Sequence, residues 1–163
     1  GNRLTLQTKG SMTLQEKADT DIGAQWEKSV FGVAASDFRQ PGKMPFDAAV
    51  QNAMSLQQTR GWYPCSPGTR MGKEIFECVK SYLPPDQEKI LEFYCAIGTA
   101  LDFYHSIDGF FQLACRRVPI DLTVSRPPEN GSRVIFVVMR ECNGYLLWRT
   151  CRKIAVALSD NFR

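Results

Sequence analysis

Apolar residues recur every three or four positions through the N-terminal part of the chain and every second position later, so the sequence divides into a helical and a strand-rich part. Ile22, Trp26, Val30 and Val33 form a stripe that predicts a first helix over about 20–35, capped by Asp19 or Asp21 and ended by Pro41-Gly42. Phe46, Val50, Ala53 and Met54 predict a second over 45–58, stopped at Gly61, after which Pro64 and Pro67 mark a loop to Gly68. Ile75, Phe76 and Val79 predict a third over 69–82. Pro84-Pro85 then breaks the chain, and Ile90, Leu91, Tyr94, Ile97 and Leu101 predict a fourth helix over 86–101.

Thereafter the period changes to two: 107–114 and 118–124 read as strands, and 133–139 as a more continuously apolar one, expected at the centre of the sheet with both faces buried. Asn143-Gly144 predicts a turn, and Leu146, Leu147, Ile154 and Leu158 the inner face of a last helix over 145–158. The expected fold is α/β or α+β, a mixed three- to four-stranded sheet flanked by helices, with a helical N-terminal half. The length of 163 residues suits a single domain over 13–163 with a helical insertion at about 41–101, residues 1–12 being a flexible lead-in or tag remnant.

Charge sharpens this picture. From Cys115 onward nine Lys and Arg face four acids, a local excess of +5 in a chain whose net charge is +3. That asymmetry fits a phosphate-backbone footprint, although a solvated basic face has the same composition. Arg116-Arg117 near the hairpin tip, and Arg149, Arg152 and Lys153 at helical spacing on the last helix, are the candidate phosphate contacts. No run of 18 apolar residues is present and Gly1–Gly10 lacks an apolar signal stretch, so no membrane partner is expected. The cysteines Cys65, Cys78, Cys95, Cys115, Cys142 and Cys151 lack metal-site spacing and read as reduced, buried thiols of a cytoplasmic protein.

The candidate chemistry lies between Asp108 and Arg126. In Val118–Val124 the even positions are apolar and Pro119, Asp121 and Thr123 take the other face, which sets a charge inside an apolar strand. An even-numbered turn centred on Cys115-Arg116 puts Asp108 opposite Thr123 and diagonal to Asp121, on one face; an odd-numbered turn separates the two. Two carboxylates so close repel unless a cation neutralises them, and Mg²⁺ accepts one or two carboxylates plus waters and substrate phosphate. The alternative is Asp108 capping a turn and Asp121 on an exposed edge.

His105-Ser106-Ile107-Asp108-Gly109-Phe110-Phe111, a turn, and Val118-Pro119-Ile120-Asp121-Leu122-Thr123-Val124-Ser125-Arg126 together resemble the core of the PD-(D/E)XK, restriction-endonuclease-like, nuclease superfamily. Gly23-Ala24-Gln25-Trp26-Glu27 resembles the glutamate-bearing first helix of that family. The resemblance implies a Mg²⁺-dependent nuclease acting on DNA or RNA phosphodiesters, with Asp108, Asp121 and Glu27 as metal ligands. The family's lysine falls on Thr123, which carries no cation; Arg126 or Lys28 is the candidate replacement. The alternatives are a catalytically inactive nucleic-acid or protein interaction module on the same fold, or a helical scaffold whose strands pack against a partner. His105, the only histidine, reads as a helix-end residue more readily than as an acid/base. Trp62-Tyr63 is either a stacking platform or a lid on the core.

Overall fold

The computed structural model describes residues 13–34, 43–124, 134–138 and 147–159. The lead-in 1–12, the expected stop at Pro41-Gly42, the Asn143-Gly144 turn, Arg126 and Cys142 lie outside them. The elements are α1 (Leu14–Phe31), α2 (Phe46–Ser55), α3 (Arg70–Lys80), α4 (Pro85–Glu88), β1 (Leu91–Cys95), α5 (Ala100–His105), β2 (Gly109–Leu113), β3 (Arg116–Thr123), β4 (Ile135–Val138) and α6 (Leu147–Ser159). The strands form one mixed sheet in the order β1-β2-β3-β4, antiparallel except for the β3–β4 pair. This is the expected α/β class, with α1, α2 and α3 preceding the strands.

Helices cover both faces. Val30 and Phe31 of α1, Ile75, Phe76 and Val79 of α3, and Cys151, Ile154 and Leu158 of α6 pack with Phe93, Phe111, Val118, Ile120 and Leu122 of the sheet. On the opposite face Ala49, Val50 and Ala53 of α2 and Ala100 and Leu101 of α5 pack with Tyr94, Ile107 and Phe110. Two cross-strand aromatic pairs, one on each face, fix the β1–β2 register: Phe93 stacks on Phe111 at 4.2 Å and Tyr94 on Phe110 at 4.7 Å. Slipping by one residue would transfer each ring to the wrong layer.

The expected fourth helix is a correction. Only the single turn α4 is helical before the chain extends as β1, and α5 begins at Ala100. The 3–4 spacing of Ile90, Leu91, Tyr94 and Ile97 matched a helical stripe, but Phe93 and Cys95 between them are buried as well, and Ile90 is half exposed. A five-residue run buried on both faces suits a covered strand, and its periodicity does not distinguish it from a helix. The expected insertion at 41–101 therefore contributes a sheet strand. α1 begins at Leu14, so Asp19 and Asp21 lie within the helix rather than at its cap, and it ends at Phe31. Among the described strands, the one expected at the centre, β4, stands at an edge.

β1 is the other edge, and its outward backbone groups are satisfied by the 57–64 loop rather than by another strand. Gln57 donates from Nε2 to the Cys95 carbonyl at 2.7 Å and accepts from the Cys95 amide at Oε1, 2.9 Å. The Phe93 carbonyl accepts from Trp62 Nε1 at 2.7 Å and the Phe93 amide donates to the Pro64 carbonyl at 2.9 Å. Trp62 thus folds back onto the core while Tyr63 is exposed. Gln57→Ala strips both Cys95 backbone groups of their partner in a dry setting, at about 1–3 kcal/mol per orphaned group. The expected result is a fall in the urea midpoint equivalent to ~2 kcal/mol or more; an unchanged midpoint would show that water replaces the amide.

The cysteines only partly follow expectation. The five among the described residues are free thiols; Cys95 and Cys151 are buried, but Cys65 and Cys115 are exposed, because they fall in the Pro-rich loop and the hairpin turn. Burial pushes the Cys95 thiol up to about 12, against a smaller opposing effect of its hydrogen bond with the Ile97 backbone. Alkylation of the native protein at pH 8 should label Cys65 and Cys115 within minutes and leave Cys95 and Cys151 unlabelled until denaturant is added. Peptide mass mapping reads the outcome, and early labelling of Cys95 would contradict this packing.

Candidate functional site

Asp108 sits where the chain turns from α5 into β2. Ser106 adopts the left-handed conformation, φ 56°, and Ile107 is buried under α5 and α2, so the residue that follows is carried into the sheet with no freedom to swing. Asp108 is fully buried. Its amide donates to the Ile120 carbonyl at 3.1 Å and its carbonyl accepts from the Ala96 amide at 2.8 Å. Its carboxylate Oδ2 accepts from the Leu122 amide at 2.8 Å. A side chain thus takes a position that a backbone carbonyl would fill if the ladder continued, and Asp108 grips β3 on both sides of Asp121.

The hairpin settles the parity question. Leu113 pairs with Arg116, so the turn is the two-residue Ala114-Cys115, with Ala114 at φ 56°. It is even-numbered, but centred one residue earlier than expected from the sequence. Gly109 consequently pairs with Ile120, the last pair of the ladder, and the bonds of Asp108 to Ile120 and Leu122 bracket Asp121, so Asp108 lies beside Asp121 rather than beside Thr123. Alternation puts Val118, Ile120 and Leu122 in the layer of α1, α3 and α6, and Asp121 and Thr123 on the other face with Phe110. Asp108 precedes β2, and its side chain turns toward the β3 backbone at Leu122. Asp121 is 8% exposed and Thr123 5%.

Gly109 permits a close approach of α1 and β1. A Cβ there would lie 2.6 Å from the Phe31 ring and 2.7 Å from the Tyr94 carbonyl, so α1 and β1 both close on the residue next to Asp108.

Other residues singled out from the sequence divide among different surfaces. Glu27 is 3% exposed on α1, in the layer that covers the opposite face from Asp121. Among the described residues no three His, Cys, Asp or Glu side chains converge closely enough to hold an ion, so Glu27 does not complete a triad with Asp108 and Asp121. Lys28 is exposed on α1. Arg116 donates to the Leu158 carbonyl at 2.5 Å, tying the hairpin to the last turn of α6, where a cation also meets the negative helix end. Arg117 is exposed and held by Gln112 Oε1 at 2.7 Å. Arg149 lies over the Trp148 ring at 5.6 Å, and Arg152 and Lys153 are exposed on α6. Since α6 packs on the face away from Asp121, only Arg117 of these five belongs to the aspartate face. His105 serves the helix end: its Nε2 is 2.8 Å from the Met44 carbonyl and its ring meets Phe46 edge-on at 5.4 Å.

Asp102 was not singled out from the sequence, yet it is fully buried and its Oδ2 accepts from the Gly98 amide at 2.8 Å. The signal was present: Thr99-Ala100-Leu101-Asp102 has the Thr-x-x-acid spacing of a helix start. The expected fourth helix ran through it.

No protein family, curated protein or solved structure compared with this chain matches it.

Proposed function

We propose that this domain is a metal-dependent nuclease-like module acting on DNA or RNA phosphodiesters, with Asp108 and Asp121 as the metal-binding pair. One observation carries the reading: two buried carboxylates lie at the same level of the sheet, Asp108 being bonded to the residues on either side of Asp121. Burying like charges close together is unfavourable unless positive charge or hydrogen bonds neutralise them, and a bound cation supplies such a charge. A two-carboxylate set suits Mg²⁺, which keeps several waters and would supply an activated water and charge stabilisation at the phosphorus. Leu122 orients the Asp108 carboxylate through its amide, which leaves Asp121 to share the ion from across the hairpin.

Thr123 favours a second reading. It occupies the position where the resembled family has its lysine, is buried on the aspartate face, and supplies no positive charge to the attacking water. A domain that binds nucleic acid or a protein without cutting would have this composition. Incubation of the chain with supercoiled plasmid, single-stranded DNA and RNA, with Mg²⁺ or with EDTA, separates the two. Cleavage that needs Mg²⁺ and is lost in Asp121→Asn supports the enzyme; retention of nucleic acid with no cleavage in either protein supports the binding module.

A further inference from the structure

Asp108 owes its placement to a short staple built from the β1–α5 turn. The Ala96 amide holds the Asp108 carbonyl at 2.8 Å, and the Ala96 carbonyl accepts from Thr99 twice, from its amide at 3.0 Å and its Oγ1 at 2.6 Å. Gly98, at φ 73°, exposes its amide to Asp102 Oδ2 at 2.8 Å, while the Arg60 guanidinium closes over Gly98 and donates to the Ile97 carbonyl. The Asp102 carbonyl accepts from the Ser106 amide at 3.0 Å, the residue whose left-handed turn leads to Asp108. Asp102 therefore links the turn before α5 to the turn after it, and both turns end on Asp108. A fully buried carboxylate is a costly way to cap a six-residue helix, since desolvation of the charge must be offset by the bonds it makes.

We infer that Asp102 and Thr99 are positioning residues for Asp108: they hold its backbone so that its carboxylate stays on the Leu122 amide, next to Asp121 in the chain of β3. The inference rests on the nuclease-like reading for its functional consequence, but the positioning itself is a property of the apo chain. Groups that hold a ligand side chain in place typically change metal affinity ~10–100-fold when removed.

The test uses Asp102→Ala, Asp102→Asn, Thr99→Val and a remote destabilising control, Ile75→Val in α3. Amide hydrogen exchange is followed at Ala96 and Leu122, the two donors to Asp108, and Mg²⁺ binding is titrated by calorimetry. Asp102→Ala and Thr99→Val should lose protection at both amides by ~tenfold or more and weaken Mg²⁺ binding by ~10-fold or more. Asp102→Asn, which keeps an acceptor for the Gly98 amide, should stay near wild type, and Ile75→Val should leave both readouts unchanged at a comparable loss of melting temperature. Unchanged protection at Ala96 and Leu122 in Asp102→Ala overturns the inference, as does weakened Mg²⁺ binding in the Ile75→Val control. If the wild-type chain binds no Mg²⁺, the nuclease reading falls while the exchange rates still decide whether Asp102 positions Asp108.

Discussion

Asp121→Asn is expected to lower Mg²⁺-dependent cleavage by about 10²–10³-fold, the largest effect of any single change in this domain. The side chain keeps its volume and its place between the two β3 residues that Asp108 holds, so the effect is on charge rather than packing. A metal ion stabilises several kcal/mol of transition-state charge, and each 1.36 kcal/mol is a factor of about ten in rate. With one of two carboxylates neutralised, the remaining one holds the ion weakly. The same loss should appear without any substrate: if Mg²⁺ binds only the folded chain, saturating Mg²⁺ should raise the wild-type melting temperature, and that rise should vanish in Asp121→Asn. Cleavage at the wild-type rate by Asp121→Asn, or a Mg²⁺-induced rise that survives the change, would reject the carboxylate pair as the metal site.

Gly109→Ala is expected to cause the largest loss of stability, about 3 kcal/mol, at the upper end of overpacking costs. The added methyl meets the Phe31 ring at 2.6 Å and the Tyr94 carbonyl at 2.7 Å. The ring can tilt, but it already packs against Trp62 and Phe93 with centroids 5.4 Å away from each, and the carbonyl belongs to the paired strand β1. Relief must come from separating β1 from β2 or α1 from the sheet, and either disturbs the residue next to Asp108. For a domain of this size the loss corresponds to about 6–12 °C in melting temperature. A melting temperature within a degree or two of wild type would mean that α1 packs less closely on the sheet than described.

The two changes separate stability from chemistry in one hairpin. Gly109 and Asp108 are adjacent, yet one side chain position is closed by packing and the other is occupied by a carboxylate whose bonds are to backbone groups of the neighbouring strand. The Thr123 position makes the same contrast along β3. Its neighbours Ile120 and Leu122 are core residues, so the strand is fixed by the opposite face, and the identity of the residue at 123 is free to change the chemistry without changing the fold.

The basic residues follow a different logic from the aspartates. Arg149, Arg152 and Lys153 share a helix face with no knowledge of where α6 docks, and α6 docks on the layer away from Asp121. Arg116 and Arg117 are neighbours in sequence but point to opposite faces because the strand alternates, one bound to the Leu158 carbonyl and the other beside Gln112. Among the described basic residues from Cys115 onward, only Arg117 therefore stands on the face of Asp121.

Local patterns by themselves determined the α/β class, the first three helices, the β2–β3 hairpin and the alternation that sets Asp121 and Thr123 against Val118, Ile120 and Leu122, because these depend on periods of 3.6 and 2 within short windows. They left the parity of the hairpin turn open, and with it whether Asp108 and Asp121 come together. Tertiary structure decided the rest. β1 was extended rather than helical because strand and helix bury an equally apolar run, and only the partners Phe111, Phe110, Gln57 and Trp62 choose between them. Asp108 came level with Asp121 rather than Thr123 because the two-residue turn, with Ala114 in the left-handed conformation, is centred one residue earlier than the sequence suggests. Glu27 took its place in the layer covering the opposite face because α1 follows the apolar contacts of Val30 and Phe31, and burial of that stripe outweighs where a single carboxylate on the same helix ends up.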